Sequence, residues 1–233
     1  MVNRLSFIDS FKLNFIDASR WQYILTGLRN TLVISLFAVI VGVVLGFLVA
    51  IIRSTHDKTG KLKLLNLVAK VYLTVVRGTP VMVQLLIVYY VIFAAVDINK
   101  VLVAILAFGV NSGAYVAEIV RGGLMSVDGG QMEAGRSLGL GYLDTMRFIV
   151  VPQAFKNILP SLGNELITLF KDTSLVQAIG GMELVYYAST IGGRTFDYMP
   201  PYIGIAVMYL CIVVVLTWLQ GKLERRLRQS DRR

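Results

Sequence analysis

Ionisable side chains interrupt the long apolar stretches of this sequence at a few positions. Glu118, Glu165, Lys171 and Asp172 each follow or divide a run of mostly aliphatic residues. A charge in such surroundings is costly unless another charge, a hydrogen-bonding group or water lies beside it. The positions therefore indicate either a polar path through an apolar environment or ion pairs between helices. Both alternatives stay open, with Glu118 and Arg121, three residues apart, and Glu165 with Lys171 as the candidate pairs.

Neutral hydrogen-bonding side chains accompany these charges. Asn164, Glu165 and Thr168 recur at helical spacing, and a polar stripe of that kind faces a cavity or other helices rather than lipid. The Lys171–Ser174 segment is predicted to interrupt the helix and to offer its N-terminus, together with the lysine, to an anionic group. The candidate path residues are Gln84, Asn111, Ser112, Tyr115, Glu118, Asn164, Glu165, Thr168, Lys171 and Asp172.

Several classes of chemistry are excluded by the residue types that the chain lacks. Cys211 is the single cysteine and His56 the single histidine, so the chain has neither a disulfide framework nor the residues of a cysteine or histidine metal site. A membrane enzyme would need a nucleophile and a base close together, and no such pair is evident. The sequence also lacks a glycine-rich loop for phosphate, so we do not expect this chain to hydrolyse ATP by itself.

The composition is typical of a multi-span membrane protein. Hydrophobic residues make up 56% of the 233 residues and charged residues only 16%, against about 25% in soluble domains. The net charge of +9 does not indicate a nucleic-acid partner. Fifteen of the lysines and arginines fall in segments that the predicted spans place on one side of the membrane, against seven on the other. This distribution follows the positive-inside rule, with the N-terminus outside and the C-terminus inside.

The uncharged runs predict an all-α protein with about five transmembrane helices. The spans are predicted at residues 30–52, 80–96, 101–120, 153–191 with its interruption, and 200–221. Pro80 is expected to break the element that begins near Lys61. The glycine pair 192–193 is expected to end the helix that starts at Leu175, and Gly42 with Gly46 predicts a close helix contact inside the chain. Residues 1–20 form either a short interfacial amphipathic helix or a frayed terminus, residues 21–222 the membrane domain and residues 223–233 a basic tail.

One polar stretch between the spans has internal order. Residues 131–152 read QMEAGRSLGLGYLDTMRFIVVP and hold Glu133, Arg136, Asp144 and Arg147, so this loop lies in water. The small residues at 134, 135 and 139 are expected to leave one flank of a short helix bare for the surface of another protein. Glycines at 139 and 141 can end that helix, and Pro152 suits the first turn of the next.

This spacing resembles the EAA docking loop of ABC-importer permeases. The matching residues are Glu133-Ala134-Gly135, Gly139 and Ile149-x-Val151-Pro152, where the family usually has Ala at 135 and Leu at 151. Three stretches are similar to the polar amino-acid uptake subfamily. They are residues 150–175 (VVPQAFKNILPSLGNELITLFKDTSL), 77–84 (RGTPVMVQ) and 114–123 (AYVAEIVRGG). The resemblance covers most of the chain from Trp21 onward.

The resemblance implies a type I ABC-importer-like fold in which a coupling helix of the 128–152 loop docks onto ATPase subunits at the cytoplasmic face. The implied docking residues are Glu133, Ala134, Gly135, Ser137, Leu138 and Gly139. It further implies two separate ABC ATPase subunits that hold ATP and magnesium, a second permease chain that is identical or closely homologous, and an extracellular or periplasmic solute-binding protein. The implied location is the bacterial plasma (inner) membrane, and no cofactor is expected in this chain.

Two readings of the function follow. In the first, the chain is the permease subunit of an ATP-driven importer, and the acidic excess of its path residues favours a polar or basic amino acid such as arginine, histidine or glutamine. In the second, it is an ion-coupled transporter or a channel without an ATPase, because intramembrane residues such as Glu118, Glu165, Lys171 and Asp172 also serve proton relays. The second class needs no exposed helix with a bare flank.

Overall fold

The computed structural model describes residues 6–230, and every regular element in them is helical. The α-helices are α1 (Phe7–Phe11), α2 (Trp21–Thr59), α3 (Lys63–Gly78), α4 (Val81–Ile87), α5 (Lys100–Met125), α6 (Gly129–Ser137), α7 (Tyr142–Thr145), α8 (Val151–Asp172), α9 (Leu184–Thr195) and α10 (Met199–Ser230). Short π-helical segments lie at Lys12–Ile16, Val88–Ile92 and Met146–Val150, and 3-10 segments at Asp17–Ser19 and Thr173–Ile179. The all-α prediction is confirmed.

Three helices in the described part of the chain are long and apolar enough to cross a membrane. They are α2, α5 and α10 up to Leu227, and a fourth is added if α3 and the Val81–Ile92 segment count as one bent span. The predicted fifth crossing rests on α8, which has 22 residues but carries the polar stripe that contains Glu165. A helix of that length can cross the apolar layer, provided that its polar side faces protein or water.

The first long helix extends beyond the predicted 30–52 run at both ends. Arg53 was expected to end it and residues 55–60 to form a turn, but α2 continues to Thr59. Charged side chains mark the edge of the apolar layer without disturbing backbone hydrogen bonds. The helix ends at Gly60, whose φ of +65° is left-handed and whose N–H donates to the His56 carbonyl at 2.8 Å. Glycine adopts that conformation without steric cost.

Helices α2 and α5 form the centre of the bundle and pack through small residues. A Cβ built on Gly42 would lie 2.7 Å from Ser112 Oγ, and one built on Gly46 would lie 2.5 Å from Val116 Cγ1. The predicted internal contact of these two glycines is therefore confirmed. In a membrane the gain comes from close van der Waals contact, because lipid tails are as apolar as the side chains. A core of Ile34, Leu85, Phe108 and Leu169 joins α2 and α5 to α4 and α8, among other buried residues.

The predicted break at Pro80 is confirmed, and it is sharp. The axes of α3 and of the Val81–Ile92 segment differ by 110°. Thr79 is extended (φ −122°, ψ 148°), as is usual before a proline. The Gln84 side-chain amide donates to the carbonyls of Val76 at 2.7 Å and of Thr79 at 3.1 Å. Gln84 thus satisfies carbonyl groups that the end of α3 leaves without helical partners.

The segment after α8 differs from the prediction. The chain is not interrupted at Lys171–Ser174, because α8 continues directly into the Thr173–Ile179 turn, and the true break lies at Gly180 (φ +69°). The next helix, α9, therefore starts at Leu184 rather than at Leu175. It also continues past the glycine pair 192–193 to Thr195, where Phe196 is left-handed. Gly192 serves packing instead, since a Cβ there would lie 2.5 Å from Cδ1 of Tyr198.

The described part of the N-terminal segment is helical rather than frayed, with a continuous run from Phe7 to Ile16 and a kink at Ala18. Three short helical pieces run from Phe7 to Ser19, and residues 1–5 lie outside the described residues. Asn14 is fully buried, donates to Asp197 Oδ2 at 3.0 Å and accepts from Thr195 Oγ1 at 2.9 Å. These bonds attach the segment to the turn between α9 and α10, because a buried amide needs partners for both its donor and its acceptor. At the other end of the chain, α10 passes the predicted limit at residue 221 and stays helical to Ser230.

Candidate functional site

A cavity of about 400 Å³ lies between the α3–α4 break, α5 and α8, and we call it the groove. Its walls are formed by Thr79, Pro80, Val81, Phe108, Asn111, Tyr115, Glu165, Thr168, Leu169 and Asp172. Residues three and four positions apart share one face of a helix, which explains why each helix contributes a row of side chains. The structure thus brings together Asn111, Tyr115, Glu165, Thr168 and Asp172 from the predicted path residues.

Two further path residues hold groove side chains in place from behind. Asn111 Nδ2 donates to Gln84 Oε1 at 3.0 Å, and Ser112 Oγ donates to Glu165 Oε1 at 2.7 Å. Ser112 is buried against α2, so the position of its hydroxyl is fixed by packing. The bond from a fixed hydroxyl orients the Glu165 carboxyl group toward the groove.

The remaining path residues lie outside the groove. Asn164 is exposed on α8 beside it, and Lys171 points away into a mostly apolar surface hollow formed with α9 and α10. Glu118 was paired with Arg121 from its spacing, but it instead contacts Arg53 Nη1 at 3.4 Å and Arg77 Nη1 at 3.7 Å. The expected helix N-terminus near Lys171 is also absent from the described chain, since the backbone stays helical through Thr173.

The charge of the groove is negative. Its wall holds the carboxylates of Glu165 and Asp172, and among the described residues no lysine or arginine lines it. The other polar atoms belong to the neutral side chains of Thr79, Asn111 and Thr168 and to the Tyr115 hydroxyl. Such a lining attracts an ammonium or guanidinium group and supplies hydrogen bonds to the rest of a small polar molecule.

The 128–152 loop forms the second candidate site, and its helix-turn-helix prediction is confirmed. Asp128 caps α6 by accepting from the Gly130 N–H at 2.7 Å. The helix ends in a Schellman motif, in which Leu140 N–H donates to Gly135 O at 3.2 Å and Gly139 N–H donates to Arg136 O at 3.0 Å. Gly139 has a φ of +86°, so the predicted role of a glycine at the turn is explained by its backbone.

The next helical stretch starts earlier than predicted. Pro152 lies in the first turn of α8, as predicted, but the chain before it is already helical from Tyr142 and stays so through Met146–Val150, which is a π-helical turn. Proline has no N–H and crowds the carbonyl four residues before it. The wider π turn directly before α8 accommodates the proline without ending the helix.

The small residues of α6 do not share one bare flank. Gly135 is buried, and a Cβ on it would lie 2.5 Å from Thr145 Cγ2 and 3.0 Å from Ile149 Cδ1. It therefore lets α6 approach the next helix of the same chain. The other predicted docking residues, which are Glu133, Ala134, Ser137, Leu138 and Gly139, are exposed.

Large apolar side chains are exposed on this polar loop. Leu138 is 82% exposed, Leu143 79% and Phe148 64%; we call these three residues the apolar patch. Apolar surface at a water-facing loop indicates contact with another protein. Leu143 and Phe148 were missed at the sequence level, although an apolar residue within a charged loop is itself a signal. The loop is attached to α2 by Lys58, whose ammonium donates to the Tyr142 hydroxyl and lies 4.7 Å from the ring centroid.

Comparison with known proteins places these features in a family. Residues 42–229 match the family described as binding-protein-dependent transport system inner membrane component. The chain is 40% identical over 227 residues to the probable amino-acid ABC transporter permease protein YckA of Bacillus subtilis, covering 97% of this chain and 98% of that protein. It is 36% identical to the arginine transport system permease protein ArtQ of the same organism, covering 90% of this chain and 94% of ArtQ.

A solved structure is similar over nearly the same extent. The crystal structure of an amino acid ABC transporter with histidines superimposes with a TM-score of 0.84 at 37% sequence identity. The match covers 95% of this chain and 99% of that one. Similarity of this extent includes both the groove and the 128–152 loop.

Proposed function

This chain belongs to the family of inner-membrane components of binding-protein-dependent transport systems, and we propose that its groove is the path by which a polar or basic amino acid crosses the membrane. Within the family it is an amino-acid ABC transporter permease of the polar amino-acid type, multi-pass in a bacterial membrane. It is a transport subunit, and ATP hydrolysis belongs to separate subunits of such importers. The family therefore favours the ATP-driven importer over the ion-coupled transporter or channel.

The single observation that carries the proposed substrate class is the acidic wall of the groove. Glu165 is held by Ser112 at 2.7 Å, and Asp172 lies about two helical turns further along and lines the same cavity. An amino acid carries an ammonium that must exchange water for other partners inside the membrane. Two carboxylates supply that partner, and a second cationic group, as in arginine, is accommodated better there than an acidic side chain.

Coupling to ATP hydrolysis is assigned to α6 and to the apolar patch. Glu133, Ala134, Ser137, Leu138 and Gly139 are exposed toward a partner, whereas Gly135 supports the loop from inside. The α6 end is fixed by the Schellman motif, and Lys58 connects the loop to the end of α2. A displacement of this loop by the ATPase subunits is therefore transmitted to α2, α5 and α8, whose side chains form and surround the groove.

The proposed assembly has two ATPase subunits, a second permease chain that is identical or closely homologous, and a solute-binding protein on the outer side. The N-terminus lies outside and the C-terminus in the cytoplasm, as the distribution of lysine and arginine favours. In this orientation the 128–152 loop is cytoplasmic. The importers to which this chain is similar, by their names, serve amino acids, arginine among them.

The test is reconstitution of the chain with its ATPase subunits and binding protein in liposomes. We expect ATP-dependent uptake of labelled L-arginine, L-histidine or L-glutamine that stops when either the ATPase or the binding protein is omitted. L-Glutamate is the matched control, because its second carboxylate opposes the acidic wall. Uptake driven by an ion gradient in vesicles that hold this chain alone would contradict the proposal.

A further inference from the structure

A second cavity of about 490 Å³ lies on the other side of the α3–α4 break from the groove. Its polar lining comes from Arg53 of α2, Lys70, Thr74 and Arg77 of α3, and Glu118 of α5. On α5, Glu118 lies about one turn beyond the groove residue Tyr115, toward the helix end that leads to the 128–152 loop. We call this space the basic cavity, and it is the next polar space in the direction of that loop.

The basic cavity holds more positive charge than its one carboxylate balances. Glu118 is shared between Arg53 at 3.4 Å and Arg77 at 3.7 Å. Lys70 has no hydrogen bond or ion pair within residues 6–230, and the Arg53 Nε is buried without a hydrogen-bond partner there. Lys70 is exposed, so only the Arg53 Nε falls under the rule that buried donors are normally satisfied, and it indicates that an acceptor belongs in this space.

The two cavities have opposite charge and meet at Arg77. The groove carries Glu165 and Asp172, whereas the basic cavity carries an excess of lysine and arginine. The Arg77 guanidinium lies 6.0 Å from the centroid of the Tyr115 ring, which is part of the groove wall. A zwitterion that leaves the groove with its carboxylate first thus moves from acidic to basic surroundings within a short distance.

We infer that the basic cavity is an exit-side binding site for the α-carboxylate of the transported amino acid, with Arg77 and Lys70 as its ligands. The inference rests on the proposed function. Arg77 offers a planar pair of donors that fits a carboxylate, and Lys70 adds a mobile ammonium. Glu118 keeps Arg53 and Arg77 in position. Because Glu118 competes with the carboxylate of the bound amino acid for the Arg77 guanidinium, the amino acid can dissociate again.

The test measures binding of the amino acid to the complete complex in the absence of ATP. Whichever of L-arginine, L-histidine and L-glutamine the wild-type complex transports fastest is titrated onto the solubilised complex without ATP or binding protein. Its α-carboxamide, which lacks the carboxylate charge, is titrated in parallel. The ratio of the two dissociation constants measures the contribution of the carboxylate charge to binding, because contacts to the rest of the amino acid are the same for both ligands.

We expect the wild-type complex to prefer the amino acid over its carboxamide by about tenfold, in line with a charge-assisted contact. Arg77→Gln should remove most of that preference and Lys70→Gln about a threefold part of it, because Arg77 offers a planar pair of donors whereas Lys70 offers a mobile ammonium. Lys63→Gln is the matched control: Lys63 is an exposed lysine of the same helix that does not line the cavity, and its variant should keep the full ratio.

Three results would overturn the inference: no binding by a complex that transports, no preference in the wild type, or an equal loss in Lys63→Gln. Lys70→Gln guards against misfolding, because Lys70 has no contact whose loss would disturb the bundle. The uptake assay distinguishes failure of this inference from failure of the proposed function. If the proposed function is wrong, the complex transports none of the three amino acids.

Discussion

The groove and the 128–152 loop are built in different ways. The groove is assembled from residues 79–81, 108–115 and 165–172, and its polar side chains are held by bonds between helices, such as Ser112 to Glu165 at 2.7 Å. The loop is one continuous run, and its shape follows from local features such as the Asp128 cap and the left-handed Gly139. Changes in the groove should therefore alter which solute passes, whereas changes in the loop should alter whether ATP hydrolysis drives any passage.

The largest expected effect comes from placing a charge on the apolar patch. Leu138→Glu should abolish ATP-driven uptake, because burying a carboxylate at a protein interface costs several kcal/mol, on the order of a thousandfold in affinity. Leu138 is 82% exposed in the chain, so the permease itself should keep its melting temperature. Uptake and co-purification of the ATPase subunits are the measurements.

The control for that experiment is Leu138→Met, which keeps size and apolar character and should retain uptake. If Leu138→Glu transported normally with its ATPase bound, the apolar patch would not be the docking surface. The loop would then have no demonstrated role in coupling ATP hydrolysis to transport.

The next effect concerns selectivity. Glu165→Gln keeps a hydrogen-bond acceptor for Ser112 but removes the negative charge. We expect the kcat/KM for uptake of L-arginine to fall about tenfold, corresponding to about 1.4 kcal/mol, with a smaller fall for L-glutamine. ATPase activity without substrate should not change. Ser161→Ala is the comparison, since Ser161 lies on the same helix but does not line the groove. Equal losses for both amino acids would contradict recognition of the cationic side chain by Glu165.

A smaller effect should follow from filling the space at Gly135. A methyl group there would lie 2.5 Å from Thr145 Cγ2, so Gly135→Ala should loosen α6 from the next helix at a cost of about 1–3 kcal/mol. Hydrogen exchange of the loop amides measures this local opening. Adding Thr145→Ser removes the clashing methyl group and should restore part of the protection. Unchanged protection in Gly135→Ala alone would show that the contact between the two helices accommodates the added methyl group without opening.

The features that could be predicted from the sequence are those that depend on neighbours along the chain. Helical spacing placed Glu165 and Thr168 on one face, Pro80 marked the break, and Gly139 marked the end of α6. Contacts between distant segments gave a weaker signal: the Gly42–Gly46 pair indicated a close helix contact but not its partner, α5. The pairing of Glu118 with Arg53 and Arg77 depends on how α2 and α3 cross α5, so the spacing to Arg121 was misleading. The start of the helix at Tyr142 was missed because a π-helical turn accommodates Pro152.

The most direct test of the account is to block the groove without touching the loop. Thr168 is exposed in the groove wall, and Cys211 is the only cysteine, so Thr168→Cys in a Cys211→Ser background offers a single thiol there. After labelling with a bulky maleimide, the reconstituted complex should lose ATP-driven amino-acid uptake while it continues to bind its ATPase subunits and to hydrolyse ATP. Unchanged uptake by the fully labelled complex would contradict the claim that the groove is the path.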